Sequence, residues 1–160
     1  MAAYRGPLGR ALAYAKGVPD RAVAVELATA FAKHMQPALH GCRPDAIVAV
    51  PPAWNRLWVR GFDTAALLAH ALSLRLEVPV LRPLARRRGV AQKTLGARQR
   101  RVNARRLFRA RRPAPARVLL VDDVITTGST IQVCAEELMG TGTTLHVWGC
   151  ALCAERRSQG

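Results

Sequence analysis

The sequence predicts an α/β fold in which a central, mainly parallel sheet is flanked by helices, organised as one domain over residues 1–160. Two observations carry this expectation. Short apolar, β-branched runs alternate with longer stretches of helical spacing, the order that parallel strand–helix–strand units impose. Half of the 160 residues are hydrophobic, enough to build a core and too many for a disordered chain.

The elements follow in order. Residues Asp20 to Met35 place Val23, Leu27, Ala30 and Phe31 at helical spacing behind an acidic start, so a helix packed on the sheet by these four residues is expected. "DAIVAVPP", from Asp45 to Pro52, is short, β-branched and closed by two prolines, as suits a buried strand entering a loop. "DTAALLAHALSLRL" begins with Asp63 as a helix N-cap and leads to a short strand near "VPVL". From Arg82 to Arg117 the character changes to thirteen arginines and Lys93 without a single acid, punctuated by Gly89, Pro113 and Pro115. A long flexible basic loop is expected over 82–117. "RVLLV" then supplies a strand, "DDVITTGS" a loop, Thr130 to Met139 a helix, and "TTLHVWGCAL" a final strand.

Composition narrows the function classes. The formal charge is +15, with 25 basic residues against 10 acids, which suits a polyanionic partner, either nucleic acid or a phosphorylated small molecule. No apolar run reaches the ~18 residues of a membrane span and the start has no secretory core, so a cytoplasmic location is expected. Cys42, Cys134, Cys150 and Cys153 are too scattered for a disulfide framework. Cys150 and Cys153 have metal-like spacing but no second ligand pair, and buried thiols in a strand are expected instead. The four histidines, His34, His40, His70 and His146, lie apart without ligand or triad spacing.

Asp122 and Asp123 fall at the carboxyl edge of the predicted sheet, where parallel α/β proteins bind ligands. Beside them, Thr126, Thr127, Gly128, Ser129 and Thr130 offer backbone N–H groups, hydroxyls and a permissive glycine at a helix start, the parts of a phosphate cradle. Acids next to a phosphate site repel the phosphate unless they address sugar hydroxyls or a Mg²⁺ ion bridging to it, and a sugar phosphate meets both demands. A P-loop enzyme is excluded because no G-x-x-x-x-G-K-[ST] run exists. A phospho-accepting receiver is excluded because Lys16, Lys33 and Lys93, the only lysines, do not stand at a late strand end.

"VLLVDDVITTGST", from Val118 to Thr130, resembles the phosphoribosyl pyrophosphate (PRPP) signature of type I phosphoribosyltransferases. The resemblance implies the type I phosphoribosyltransferase fold. It also implies that Asp122 and Asp123 hold the ribose hydroxyls and, through the ligand, Mg²⁺, while Thr126 to Thr130 wrap the 5-phosphate. "YRGPLGRALAYAKG", "VPPAWNRLWVRGFDTAALLA" and "QKTLGARQRRVNARRLF" resemble the ComF/GntX-type competence branch of that superfamily, and together they cover most of the chain. Members of the branch commonly carry a small zinc-binding cysteine module ahead of the first of these stretches; the sequence starts three residues before Tyr4 and does not include it, as a truncated chain, a misassigned start or a natural short form would each give.

Following the first strand, Arg56, Arg60 and Gly61 stand where type I enzymes bind pyrophosphate. A guanidinium fork suits diphosphate oxygens, although covering Trp54 and Trp58 would be a plainer role for these arginines. The basic loop stands where such transferases carry a flexible hood, with Gln92, Lys93, Arg100, Arg101 and Asn103 on the branch's pattern. The function implied is Mg²⁺-dependent transfer of phosphoribosyl from PRPP to an unidentified nitrogen acceptor, linked to DNA uptake or nucleotide metabolism. Two alternatives stay open. One is a non-catalytic domain that senses PRPP or a nucleotide; the other is an accessory protein that contacts DNA or a competence helicase through its arginines. Only Phe108 offers an aromatic platform for single strands in the basic stretch. A second copy of the chain is a further partner compatible with the sequence.

Overall fold

The computed structural model describes residues 20–53, 57–59, 61–87, 107–125 and 127–154. Helix α1 (Arg21–Leu39) precedes strand β1 (Ala46–Ala49), helix α2 (Thr64–Leu76) and the short strand β2 (Val80–Leu81). Strands β3 (Leu84–Arg86), β4 (Phe108–Ala110) and β5 (Arg117–Ile125) follow, then helix α3 (Ser129–Met139) and strand β6 (His146–Ala154). The central sheet has the order β2-β1-β5-β6 and all its pairings are parallel. Strands β3 and β4 form a separate antiparallel ribbon.

Parallel strands must be buried on both faces, and β5 shows how the sequence achieves this. Leu119 and Val121 point into a core shared with Phe31, Leu68 and Leu72 of α1 and α2. Val118 and Leu120 point the opposite way, into a core with Val133, Cys134 and Leu138 of α3. All four β5 residues are fully buried. At the amino end of the sheet, Asp45 and Arg117 fix the register: Arg117 Nη2 lies 2.6 Å from Asp45 Oδ1, and each backbone N–H bonds to the other residue. The guanidinium holds the Asp45 carboxyl below its usual range.

The expected face of α1 is corrected. Ala30 is exposed and Val23 and Leu27 are only partly covered, while Ala24, Ala28 and Ala32 are buried with Phe31 and Leu39. Small residues four apart form a shallow stripe that lets α2 pack closely, and that contact outranks the larger aliphatic side chains. The helix also continues past Met35 to Leu39, with Pro37 in its last turns. Asp63 caps α2 as expected, its Oδ1 accepting from Ala66 N at 3.2 Å; Asp20, expected in an acidic first turn, instead stands just before α1 as its cap, Oδ1 accepting from Ala22 N at 2.8 Å.

The flexible loop expected over 82–117 is corrected at both ends. Leu84 to Arg86 pair with Phe108 to Ala110, and the flanking bonds Arg87 N to Leu107 O and Arg111 N to Pro83 O extend the ribbon. Leu84 and Phe108 are buried against the α3 core, and Ala110 N donates to Glu137 Oε2 at 3.2 Å. Apolar residues spaced among the arginines anchor the ends of the excursion, and the run of charge hides them from a compositional reading. No helix among the described residues is long and apolar enough to cross a membrane.

Two tests follow from the packing. A Cβ built on Gly149 would stand 2.7 Å from Ile131 Cγ2, so the missing side chain on β6 is what lets the first turn of α3 sit close to the sheet. Gly149→Val will lower stability by about 1–3 kcal/mol, and Ile131→Ala in the same chain will recover part of that loss in thermal melts. Burial pushes the Cys134 and Cys150 thiols up to about 12, so both will resist alkylation at pH 8 in the native protein and react once it is denatured, as read by peptide mass spectrometry.

Candidate functional site

The sheet is uneven at its carboxyl edge. Strand β1 ends at Ala49, and Val50 N donating to Val121 O at 2.8 Å is the last backbone link between the two central strands. Strand β5 runs on to Ile125, paired only with β6. The expectation that the strand stops at Val121 is therefore corrected. Because β6 continues the ladder through Ala154, Asp122 and Asp123 lie inside β5 and not in a loop. Past Val121, no described strand pairs with the edge of β5 that β1 occupies earlier.

Side chains alternate along a strand, so consecutive acids cannot share a face of the sheet. Asp123 takes the side of α1 and α2, where it is 8% exposed and its charge raises the pKa of Asp63. Asp122 takes the side of α3. It borders a small cavity of about 20 Å³ with Gly128, Ser129 and Thr130, and its Oδ1 accepts from Asp123 N at 2.8 Å. The two acids stay adjacent but divide the site between them.

The cradle forms as the chain turns from β5 into α3. Gly128 has φ 74°, a left-handed conformation that suits glycine, and no side chain caps the helix there. The first N–H groups of an eleven-residue helix are presented toward the carboxyl edge with the positive end of its dipole. Thr127 Oγ1 lies 2.8 Å from Ser129 Oγ and also accepts weakly from Ser129 N at 3.4 Å. A phosphate entering here would exchange this hydroxyl pair for its own oxygens. Thr127, Gly128, Ser129 and Thr130 are thus brought together beside Asp122; Thr126 lies outside the described residues.

On the other side of the acids, a cleft of about 760 Å³ opens beyond the end of β1. Gly61, with φ 73°, lines it together with Phe62 and Asp63, as do Arg21 from the start of α1, His70 from α2 and Arg82 from the end of β2. Gly61 N donates to Leu57 O at 2.8 Å, closing a single helical turn that leaves Trp58 83% exposed. Arg56, Arg60, Gln92, Lys93, Arg100, Arg101 and Asn103 lie outside the described residues.

Sequence reasoning missed Asp63, Phe62 and Arg82 as lining of a cleft. Asp63 was visible only as a helix cap, yet burial pushes its carboxyl up, the nearby Asp123 adds to this, and backbone N–H groups and Arg82 oppose it. A cap that follows a Gly-Phe pair directly after the first strand's loop was the available signal. No group of three or more histidine, cysteine or acidic side chains suited to a metal ion exists among the described residues.

No protein-family model matches the chain. Its sequence is 39% identical over 115 residues to competence protein F of Haemophilus influenzae, covering 68% of this chain and 50% of that protein. It is 40% identical over 109 residues to the DNA utilization protein YhgH of Escherichia coli O157:H7, covering 66% of this chain and 48% of that protein. The chain therefore spans about half the length of the curated relatives it matches. Among solved structures it resembles a purine phosphoribosyltransferase from Pyrococcus horikoshii, with 16% identity, a TM-score of 0.46 and 81% of each chain covered. By its sequence, the chain belongs to the ComF-type family that competence protein F and YhgH represent.

Proposed function

We propose that the protein binds PRPP or a related ribose phosphate at the carboxyl edge of β5 and transfers the phosphoribosyl group to a nitrogen acceptor. The observation that carries this reading is the placement of Asp122 and Asp123 on β5 just past its last pairing with β1, with Asp122 beside Gly128, Ser129 and Thr130 at the start of α3. In the transfer, the bond from ribose C1 to the diphosphate oxygen breaks, a C1–N bond forms, and the acceptor nitrogen gives up its proton. The ribose develops oxocarbenium character, which fixed negative charge beneath the ring stabilises. Asp122 and Asp123 serve both ends of this task, since each carboxylate accepts hydroxyl hydrogens and adds that charge.

The donor set also fits Mg²⁺. That ion favours one or two carboxylates combined with substrate oxygens and water, and Asp122 stands beside the Ser129 and Thr130 hydroxyls around a cavity of about 20 Å³. When bound, Mg²⁺ neutralises charge on the leaving diphosphate. Arg56, Arg60 and the basic residues Lys93, Arg100 and Arg101 supply further cations for that group, with Gln92 and Asn103 as polar partners. A role in DNA uptake is the cellular setting suggested by the names of the relatives, competence protein F and DNA utilization protein YhgH.

A second reading has its own support in the charge of +15: direct contact with DNA, without catalysis. Isothermal titration calorimetry separates the two. Mg²⁺-dependent binding of PRPP is expected, and the Asp122→Asn, Asp123→Asn double variant will weaken it about 100-fold or more, because each carboxylate bond to a hydroxyl is worth roughly 1.5–3 kcal/mol. Absence of PRPP binding by the folded protein would sink the transferase reading. Salt-sensitive DNA binding that is independent of both acids would then take its place.

A further inference from the structure

The central sheet ends differently on its two sides. On one side β2 has two residues set between Pro79 and Pro83, which leaves little backbone for another chain to pair with. On the other side β6 runs for nine residues, and among the described residues no strand lies on its outer edge. His146 N donates to Ala116 O at 2.9 Å, so the backbone of His146 faces β5. The carbonyls of Arg117 and Val121 accept from Asp45 N and Val50 N on the β1 side, which turns the backbone of Val118, Leu120 and Asp122 toward β6 in the same phase. Successive residues of a strand present their N–H and C=O groups to opposite edges. Val147, Gly149, Ala151 and Cys153 therefore present theirs outward, away from β5.

Edge strands of natural proteins are guarded by prolines, charges or bulges. Strand β6 contains no proline and no aspartate, glutamate, lysine or arginine, and its register with β5 keeps one phase throughout. Residues 138–154 are the longest stretch of the chain free of those four charged types. Within it Leu145 is 64% exposed and Met139 49%, although both are large and apolar. Two copies of a chain with a formal charge of +15 repel each other over most of their surfaces, and an uncharged edge lets them approach with the least repulsion. We propose that β6 pairs antiparallel with β6 of a second copy and joins the two sheets into one. A two-fold axis at Cys150 sets Val147 opposite Cys153 and Gly149 opposite Ala151, each pair exchanging two hydrogen bonds. Every outward N–H and C=O of the strand is then matched, and the two residues nearest the axis with outward backbone, Gly149 and Ala151, are small. Because the strands meet antiparallel, the carboxyl edges of the two sheets point in opposite directions and each Asp122 site stays open. The pairing is independent of what that site binds.

Sedimentation velocity and amide hydrogen exchange of the intact chain test this. A dimer is expected at about 100 μM, where an interface of micromolar affinity is already filled. Exchange read residue by residue should slow at Val147, Gly149, Ala151 and Cys153 as the dimer forms, while Trp148, Cys150 and Leu152, which face β5, stay protected at every concentration. Ala151→Pro removes an outward donor from both strands at once and leaves the bonds to β5 in place, so it should raise the dimer dissociation constant about tenfold or more with the far-UV circular dichroism unchanged. If that variant fails to fold, the exchange pattern of the unaltered chain decides alone. A chain that stays monomeric over the whole range overturns the proposal. So does a dimer whose outward β6 amides exchange as fast as in the monomer, which would pair through another surface. Equal protection of the outward amides at every concentration overturns it as well, because the chain's own residues would then cover the edge.

Discussion

The difference in length between two neighbouring strands organises the molecule. Strand β1 has four residues and β5 has nine, and their ladder ends where Val50 donates to Val121. Up to that link β5 is paired on both edges and buried on both faces. Beyond it the backbone keeps β6 on one edge and loses its partner on the other. Polar side chains can only be placed on β5 where that coverage lapses, because a carboxylate in the fully packed part would lose several kcal/mol of hydration without a partner. Asp122 and Asp123 occupy the first two positions after the lapse. Their placement is a consequence of strand geometry before it is a matter of chemistry.

Two like charges side by side are tolerated because pleating separates them. Asp122 turns toward the start of α3, where the helix dipole and free N–H groups favour negative charge, and Asp123 turns toward α2. The same division puts the Thr127–Thr130 turn on one side of the acids and the cleft lined by Phe62, Asp63 and Arg82 on the other. A ligand that touched both would have to cross the end of β5, which is the layout the proposed sugar phosphate requires. Among the described arginines, Arg117 pairs with Asp45 and holds two strands in register, and Arg86 lies over the Phe108 ring in the β3–β4 ribbon.

Much of this was legible in the sequence, and the parts that were not fail for identifiable reasons. Strong periodicity, turn residues and acids near the helix starts located α1, α2 and α3 and the strands β1, β2, β5 and β6, whereas β3 and β4 lay hidden in the basic stretch. The face of α1 was misjudged because alanine carries little hydrophobic weight, yet its small size decides how closely two helices approach. The end of β5 was misjudged because two aspartates and a threonine-rich turn look like a loop when the pairing partner, β6, lies twenty residues further on. The cleft was invisible for a similar reason: Arg21, Asp63 and Arg82 are far apart in sequence, and only the packing of α1 against α2 and of β2 against β1 collects them.

The ribbon of β3 and β4 adds a mechanical link between the basic excursion and the cradle. Phe108 and Leu84 are buried against Val133, Cys134 and Leu138, and Glu137 accepts from the Ala110 backbone, so the ribbon rests on the body of α3. The first turn of α3 in turn packs through Ile131 onto Gly149 of β6. A helix is stiff along its axis, so Arg87 and Leu107 are referenced to the same rigid element whose first N–H groups stand beside Asp122. Mounted on this ribbon, Arg87 and Leu107 are held at fixed positions relative to the start of α3.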